Sequence, residues 1–559
     1  MRVTTKIIQS NSVKNINTNK TYQDKLNNQM ATEKKVVRPS DDPVVAIRAL
    51  RLRTNVSQVT QYYEKNIPDA QSWMEVTESS LKTVSSVLTD AIEQCTKGSS
   101  EKLTATDRQT ILDALTALRD EVYSTGNADY AGRSVFTGYR TESTLMYTAA
   151  ETCKYSITEQ INNDVIDSIT YINGSYLNGL NEVNYKDGTY ADPATAGVTQ
   201  NYKDVVEQNI TETPIHRIRL SYGNVDNLKD TAAPTLTYKV QDSADATGKT
   251  YKDVSVTPTL VSNTTTPNPY EQMKKINEAN EALAADPATA DKVTDAAILI
   301  PEAGELLISD SLYEKLMNLK DNITTPTLDE SQIQITYEKS TWKKGDLRPE
   351  HYFACTDMSS GVVADYIKYN QDYLKGIVEK QAIEYDVGIS QSIRVNTTAD
   401  EVFTHAIGRD VDDLVASLQA VTEMEETVNR LTKIRDNLSS DNYQENYDVL
   451  TKQIDAANKS LTYLKEANQK LFESSITKMQ NHLNTANEAT TACGTRGKKL
   501  ELIKNRLMSQ KTNFETLESD NENVDITEVA IQLKSAELTY QAALMSSSKI
   551  LQTSLMNYI

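Results

Sequence analysis

Residues 67–98 read IPDAQSWMEVTESSLKTVSSVLTDAIEQCTKG and carry a clear helical pattern. Apolar or small residues recur there at alternating steps of three and four, the heptad spacing of a helix that packs against other helices. They are Ile67, Ala70, Met74, Thr77, Leu81, Val84, Leu88, Ala91 and Cys95. Upstream, Asp42 followed by Pro43 indicates an N-cap with proline at the first helical position, and Gly98 is a stop signal. We therefore predict one helix over about residues 43–97, which is so long that it requires helical partners of similar length.

A second helix is expected directly after the first. Thr106 and Gln109 fit the pattern of a capping box, and Gly126 is a suitable end for the helix that follows. Its apolar positions recur every three or four residues between these signals.

The C-terminal part supplies the expected partners. Heptad patterns recur in residues 411–438, 450–464 and 479–514, and no proline follows Pro349. The stretch GTRGKK at residues 494–499 superficially resembles a phosphate loop, but its spacing is wrong and no preceding strand is predicted. We interpret its two glycines as an interruption of a helical rod.

The middle of the chain is rich in Thr, Asn, Asp and Tyr and alternates like strands. Predicted strands lie at residues 165–172, 218–222, 236–240 and 333–337. Helical patches are expected near Met273 to Leu283 and over residues 306–319. We interpret the proline-rich residues 255–305 as a connection between two β-rich domains.

The bulk composition excludes several partners. The chain has 559 residues, a formal net charge of −20 and a mean hydropathy of −0.53. The negative charge disfavours nucleic acid and anionic membranes. No stretch approaches the roughly 20 apolar residues of a membrane helix, and the N-terminus lacks the apolar core of a secretory signal peptide. We predict neither a nucleic-acid nor a membrane partner.

Residues that usually carry chemistry are few and scattered. The cysteines form no Cys-x-x-Cys pair, and the histidines have no metal-ligand spacing. No nucleophile elbow of the G-x-S-x-G type is present. The adjacent carboxylates Asp41 and Asp42 are explained by helix capping. We therefore predict no catalytic residue, metal or cofactor, and a protein that is not an enzyme.

Both chain ends carry apolar stripes without an obvious local partner. An isolated helix of the N-terminal composition is only marginally stable in water. We expect the two ends to become stable in contact with each other and with neighbouring subunits, and so to form an assembly interface. Its predicted residues are Val3, Ile7, Val13, Ile16, Ile526, Val529, Leu533, Tyr540, Leu544, Ile550, Leu551 and Leu555.

These patterns predict a mainly α fold with one or two inserted β-rich domains, in which both chain ends form a long antiparallel helical rod or coiled coil. The predicted division has three parts. They are terminal assembly helices at 1–39 plus 520–559, a helical rod at 40–145 plus 400–519, and an inserted β-rich part at 146–399.

Several motifs resemble one family. The start MRVT and the stretch QMATEKKVVRPSDDP at residues 29–43 resemble flagellar hook-associated protein 3, a family of flagellin-like subunits. Filament flagellins tend to have Asp-Asp-Ala-Ala-Gly where this chain has PSDDP. Further motifs resemble the same family in the hairpin after the second helix, the return from the insertion and the C-terminus. In the hairpin they are Gly126-Asn127, Gly132, Phe136 and Gly138. In the return from the insertion they are Tyr385 to Gly388, Val395-Asn396 and Val402-Phe403. At the C-terminus they are Tyr540 to Leu544 and Lys549 to Leu555.

The resemblance covers about residues 1–145 and 380–559 and implies a structural role at the hook–filament junction of a bacterial flagellum. It implies extracellular localisation after flagellar export without a cleaved signal peptide. The implied partners are a ring of identical subunits, the preceding hook-associated protein, flagellin and a cytoplasmic export chaperone that guards the C-terminal helix.

Two alternatives stay open. The chain could be a filament flagellin, although PSDDP and the MRV start argue against that position in the flagellum. It could instead carry a carbohydrate-binding module in its inserted part, because exposed tyrosines on a β-domain would serve such a surface.

Overall fold

A computed structural model describes residues 5–100, 103–188, 190–191, 203–226, 233–241, 251–285, 293–319, 333–375, 381–438 and 444–556. These residues divide into two compact units. Unit 1 lies within Met1–Ser72, Glu384–Arg394 and Thr495–Ile559, and unit 2 within Trp73–Ile383 and Val395–Gly494.

Long helices dominate both ends of the described chain. The α-helices of the described residues are α1 Thr5–Thr32, α2 Pro43–Gln61, α3 Ile67–Gly98, α4 Ala105–Thr125, α5 Pro269–Ala284, α6 Asp310–Met317, α7 His405–Asn437, α8 Gln444–Glu522 and α9 Ile526–Met556, of which α5 and α6 lie in the middle of the chain. A π-helical turn, Tyr62–Asn66, joins α2 to α3, so the predicted helix over 43–97 is confirmed. Oδ1 of Asp42 caps it by accepting from the backbone N–H groups of Val44 and Val45, at 3.0 and 3.1 Å.

The strands are β1 Asp129–Tyr130, β2 Arg133–Ser134, β3 Glu151–Ile161, β4 Asp167–Ile172, β5 Glu212–Arg219, β6 Thr235–Gln241, β7 Tyr251–Val256, β8 Thr259–Leu260, β9 Ala297–Ile300, β10 Glu305–Ile308, β11 Ile333–Trp342, β12 Ala354–Asp357, β13 Ile367–Tyr369, β14 Glu384–Gly388 and β15 Gln391–Arg394. A six-stranded antiparallel sheet has the order β13-β12-β3-β11-β6-β7. A five-stranded sheet has the order β4-β5-β10-β9-β8, and β1-β2 and β14-β15 are hairpins. The mainly α fold with inserted β structure is thus confirmed.

The inserted part packs on the helices of unit 2 through its own apolar residues. Ile172, Leu177, Leu180 and Tyr185 share one buried cluster with Leu431 and Leu450 of α7 and α8, among others. Separate clusters fill the space around the two sheets. The sheets therefore rest on a helical base inside unit 2.

The capping box of α4 is two residues earlier than predicted. Thr104 has extended backbone angles and its side chain accepts from the N–H of Asp107, whose Oδ2 in turn accepts from the N–H of Thr104 at 3.0 Å. Thr106 is already inside the first turn, so the predicted pair of Thr106 and Gln109 is wrong.

The expected interruption at Gly494 and Gly497 is also wrong, because α8 continues through both residues. Each glycine weakens a helix by about 1 kcal/mol relative to alanine. Buried Cys493 and Leu500 flank the pair, with 1% and 0% of their surfaces exposed. Packing on both sides holds the helix despite the glycines.

Residues 255–305 are not a connection between domains. They contribute β8, α5, β9 and the start of β10, three strands of the five-stranded sheet and the helix that packs on it. The predicted helix over 306–319 begins only after Ser309, which caps α6. The first residues of that predicted helix belong to β10, which pairs with a strand on each side and is buried throughout. A short, fully apolar run does not distinguish a buried strand from a helix.

Candidate assembly surface

The two terminal helices form an antiparallel pair in unit 1. Leu26 of α1 is 2% exposed and packs in one cluster with Val529 and Ala536 of α9. The hydroxyl of Tyr22 donates to Oε1 of Gln532 at 3.4 Å. As α1 is followed toward its C-terminus, its partners move toward the start of α9, which defines the antiparallel direction.

A short backbone bridge fixes the base of this pair. The N–H of Lys35 donates to the carbonyl of Glu522 at 2.7 Å, and the N–H of Val524 donates to the carbonyl of Glu33 at 3.1 Å. Nζ of Lys34 donates to Oδ1 of Asn523 at 2.7 Å. The segment after α1 is thereby tied to the turn between α8 and α9.

Two cations neutralise a carboxylate at the same place. Oε2 of Glu522 lies 2.5 Å from Nη2 of Arg53 and 3.2 Å from Nζ of Lys34. The hydrogen bond from Arg53 is the main reason that the pKa of Glu522 is lowered, and the pKa of Arg53 is raised in return. The base of the terminal pair therefore keeps its charges matched near neutral pH.

The structure separates the predicted assembly residues into two groups. Val529 is buried, and Leu533, Tyr540 and Ile16 are partly buried. Ile7, Val13, Ile526 and Leu544 are exposed by 50, 56, 47 and 43%. Val3 and the side chains of Ile550, Leu551 and Leu555 lie outside the described residues.

Sequence reasoning missed an exposed stripe on α9. Ile531, Leu538 and Met545 are exposed by 66, 66 and 65%, and they follow one another at intervals of one heptad. The heptad spacing of these three residues was the signal in the sequence that could have revealed the stripe. In the sequence, however, these residues intermingle with those that face α1, so the two stripes read as one.

Most exposed large apolar side chains of the described chain lie in unit 1. Besides α1 and α9, the helix α2 exposes Val44, Ile47 and Leu50, and α8 exposes Leu502 and Met508. Contiguous exposed apolar surface marks interaction sites in proteins. Unit 1 is therefore the candidate assembly surface.

Burial changes the pKa of two histidines in unit 2. Burial lowers the pKa of His405 to about 3 and that of His351 to about 4, so both imidazoles are neutral. The ring of His405 packs edge to face against Tyr222 and Tyr352, with centroids 4.7 and 4.6 Å away. Within the described ranges, no group of three or more His, Cys, Asp or Glu residues is arranged to hold a metal.

None of the described helices combines the length and apolar character needed to span a membrane.

The N-terminal part of this chain is similar to known proteins. Residues 3–141 match the family model of the bacterial flagellin N-terminal helical region. Flagellar hook-associated protein 3 of Escherichia coli (strain K12) is 31% identical over 144 residues, which cover 26% of this chain and 45% of that relative. The protein of the same name from Salmonella typhimurium gives the same identity and coverage. The match thus spans less than half the length of these curated relatives.

The alignment with a solved structure of FlgL from Xanthomonas campestris covers 83% of this chain and 98% of the FlgL chain. The sequence identity is 12% and the TM-score is 0.25. That score is too low to establish a common fold. Residues 3–141 are therefore similar to the bacterial flagellin N-terminal helical region, and the predicted resemblance of this chain to flagellar hook-associated protein 3 is confirmed.

Proposed function

We propose that this chain is a structural subunit of the bacterial flagellum and joins the hook-associated proteins to the flagellin filament at the hook–filament junction. The observation that carries the proposal is the similarity of 144 residues to two proteins named flagellar hook-associated protein 3. The protein is not an enzyme in this proposal, and it needs no cofactor.

The proposed architecture assigns a role to each part of the chain. Residues 1–39 and 520–559 are the terminal assembly helices, 40–145 and 400–519 form the helical rod, and 146–399 form the insertion. The antiparallel contact of α1 with α9 in unit 1 supports the first assignment. In unit 2, Nη1 of Arg119 on α4 lies 2.8 Å from Oδ1 of Asp412 on α7, which supports a rod of paired helices.

Burial of apolar surface drives assembly in this proposal. Removing exposed side chains from water stabilises a complex by about 25 cal/mol per Å² of apolar area. Val44, Ile47 and Leu50 on α2 are exposed by 66, 54 and 60%, so neighbouring subunits would cover surface that one subunit leaves in water. Because the terminal helices gain most from such contacts, they assemble only where partners are present.

The partners follow from the proposed position. Identical subunits form a ring, with the preceding hook-associated protein on one side and flagellin on the other. Before export without a cleaved signal peptide, a cytoplasmic chaperone covers α9. After export the protein is extracellular and part of the flagellum.

The carbohydrate-binding alternative gains no support from the insertion. It required exposed tyrosines, yet every described tyrosine within residues 146–399 is buried or half-buried. Tyr155, Tyr222, Tyr238 and Tyr337 are each at most 5% exposed.

Complementation tests the proposal. Cells that lack this gene should keep hooks but shed flagellin into the medium, and the full chain should restore attached filaments. A chain without residues 526–559 should not restore them, although unit 2 still unfolds at the wild-type urea concentration. The proposal fails if the gene deletion leaves filaments attached, or if the shortened chain restores them.

A further inference from the structure

Helix α8 is 79 residues long and contains two interior glycines, Gly494 and Gly497, and no proline. Glycine in the interior of a helix is costly, because it loses more backbone freedom on folding than any other residue. Two requirements usually justify it: a neighbour that leaves no room for a side chain, or a positive φ. The glycine pair of α8 can be compared with each of them.

Neither requirement applies to the glycine pair. A Cβ built on either residue meets no atom within 4 Å, and neither residue has a positive φ. Other helical glycines of the described chain differ in this respect. A Cβ on Gly98 at the end of α3 would overlap the ring of Phe472, and a Cβ on Gly408 in α7 would lie 2.7 Å from the hydroxyl oxygen of Tyr123. Close packing therefore explains those two glycines but not the pair in α8.

The residues before the pair weaken the helix further. Residues 485–497, here called the weak stretch, contain four threonines in addition to both glycines, and β-branched residues have a low helix propensity. The hydroxyl groups of Thr490 and Thr491 donate to the carbonyl oxygens of Ala486 and Asn487, each at 2.8 Å. Hydrogen bonds from threonine to the carbonyl four residues earlier slightly destabilise a helix and often bend it.

The weak stretch is held as a helix from one side. Ala486, Cys493 and Leu500 are buried and follow one another at intervals of one heptad. Both glycines are half-buried, yet they have no side chains that could pack. At these two positions, side-chain packing therefore does not resist a change of the backbone angles.

We propose that α8 bends at the weak stretch, which opens and re-forms locally in the native protein. Sharp bends in helices occur at few kinds of site, and glycine is one of them. Where neither space nor φ requires glycine, freedom of the backbone is the property that it adds to a helix. The inference goes beyond the proposed function, because it concerns motion within α8 of one chain and requires no particular partner.

Distances between pairs of spin labels on the purified full chain, diluted with unlabelled chain, test the proposal. The background carries Cys153→Ser, because the other three cysteines are buried. The test pair, Gln480→Cys with Ser509→Cys, spans the weak stretch. The control pair, Asp455→Cys with Asn484→Cys, spans an equal length of α8 before it. All four positions are exposed, and each pair is about 44 Å apart along a straight helix.

The test pair should give a broader distribution of distances than the control pair. Adding Gly494→Ala and Gly497→Ala should narrow the distribution of the test pair to the width of the control, because both alanines favour the helix. Equal widths of the two pairs without the alanines would overturn the inference. A width of the test pair that the alanines leave unchanged would overturn it as well.

Amide hydrogen exchange gives a second readout that needs no labels. Amides of the weak stretch should exchange faster than those of α8 on either side. Each alanine should slow this exchange about fivefold, and both together about 25-fold, if each restores the helix propensity that glycine lacks. Ser509→Ala, at an exposed position further along α8, is the control and should leave exchange in the weak stretch unchanged.

The pattern of slowing decides whether the opening is local. Slowing that is confined to the weak stretch supports the proposal. Equal slowing along the whole of α8, or the same effect from Ser509→Ala, would show that the stretch opens only together with the rest of the helix and would overturn the proposal.

Discussion

Arg217 on β5 donates from Nη2 to Oδ2 of Asp413 on α7 at 2.6 Å, and both side chains are buried. The same guanidinium contacts Glu305 on β10 at 2.8 Å and Asp167 on β4 at 2.9 Å. Three strands of the inserted sheet are thus tied through one arginine to a helix of unit 2. The strands and α7 lie far apart in sequence, so this cluster fixes the place of the insertion on its helical base.

Removal of that arginine should strongly destabilise unit 2. Arg217→Met leaves three carboxylates without their common cation, and breaking such a buried pair costs about 3–5 kcal/mol. Urea unfolding followed by tryptophan fluorescence measures the loss, because Trp73 and Trp342 are both buried and both lie in unit 2. Arg435→Met is the matched control, because its pair with Asp436 is largely exposed and should contribute about 0–1 kcal/mol. Equal losses in both variants would contradict the assignment.

The stability of unit 2 should fall in acid through Asp410. Burial alone would raise the pKa of Asp410, but the hydrogen bond with His482 and the charges of Arg219 and Lys478 outweigh it and hold the pKa well below its usual range. A carboxyl group with a depressed folded-state pKa contributes stability above its unfolded value near 3.8, and the contribution disappears as pH falls further.

Comparison with Asp410→Asn isolates this effect from that of other carboxyls. The difference in unfolding free energy between wild type and variant should be constant from pH 7 to about 5 and shrink from about pH 4 downward. Urea unfolding at a series of pH values measures it. A difference that stays constant down to pH 2 would show that Asp410 is not stabilised by its cationic neighbours.

Leu26 should hold the terminal helices together. Leu26→Ala leaves a cavity against Val529 and Ala536 and should cost about 2–5 kcal/mol of local stability. We expect trypsin to cleave α1 faster in this variant, while the urea midpoint of unit 2 is unchanged. Ile531→Ala on the exposed side of α9 is the control and should alter cleavage little. If both variants digest at the same rate, Leu26 does not pair these helices.

Two glycines with positive φ should respond differently to alanine. At Gly304 (φ +63) a Cβ would overlap the carbonyl oxygen of Tyr222, whereas at Gly345 (φ +97) it would meet no atom within 4 Å. Gly345→Ala bears only the backbone strain, about 1–2 kcal/mol. Gly304→Ala adds a clash with backbone and should lose about 3 kcal/mol or more. Urea unfolding compares them, and similar losses would mean that the close approach at Gly304 is not needed.

Sequence periodicity predicted the long helices because their apolar residues recur in one unbroken register. The helix from Pro43 to Gly98 shows this, since its apolar or small residues recur at steps of three and four from Ile67, directly after the π-helical turn, to Cys95. The strands β9 and β10 were not predicted, because the short apolar runs at 297–300 and 306–308, on either side of Pro301, fit a loop or a buried helix equally well. The pairing of β10 with β5 is a long-range contact that no local pattern encodes.

The assembly surface was predicted only in outline for a related reason. Ile531 and Val529 are both apolar and two residues apart, and the sequence does not say which faces the partner helix within the subunit. The position of α1 decides which residue faces the partner helix: Val529 packs against α1, and Ile531 is exposed on the other side of α9. Predicted interface residues such as Val529 therefore pack within the subunit itself, whereas the exposed residues Ile531, Leu538 and Met545 of α9 were not predicted.

Immunogold electron microscopy of intact cells, with an antibody against residues 146–399, tests the junction role most directly. We predict a narrow band of label at the boundary between hook and filament. Label spread along the whole filament would make this chain a flagellin and would contradict the account.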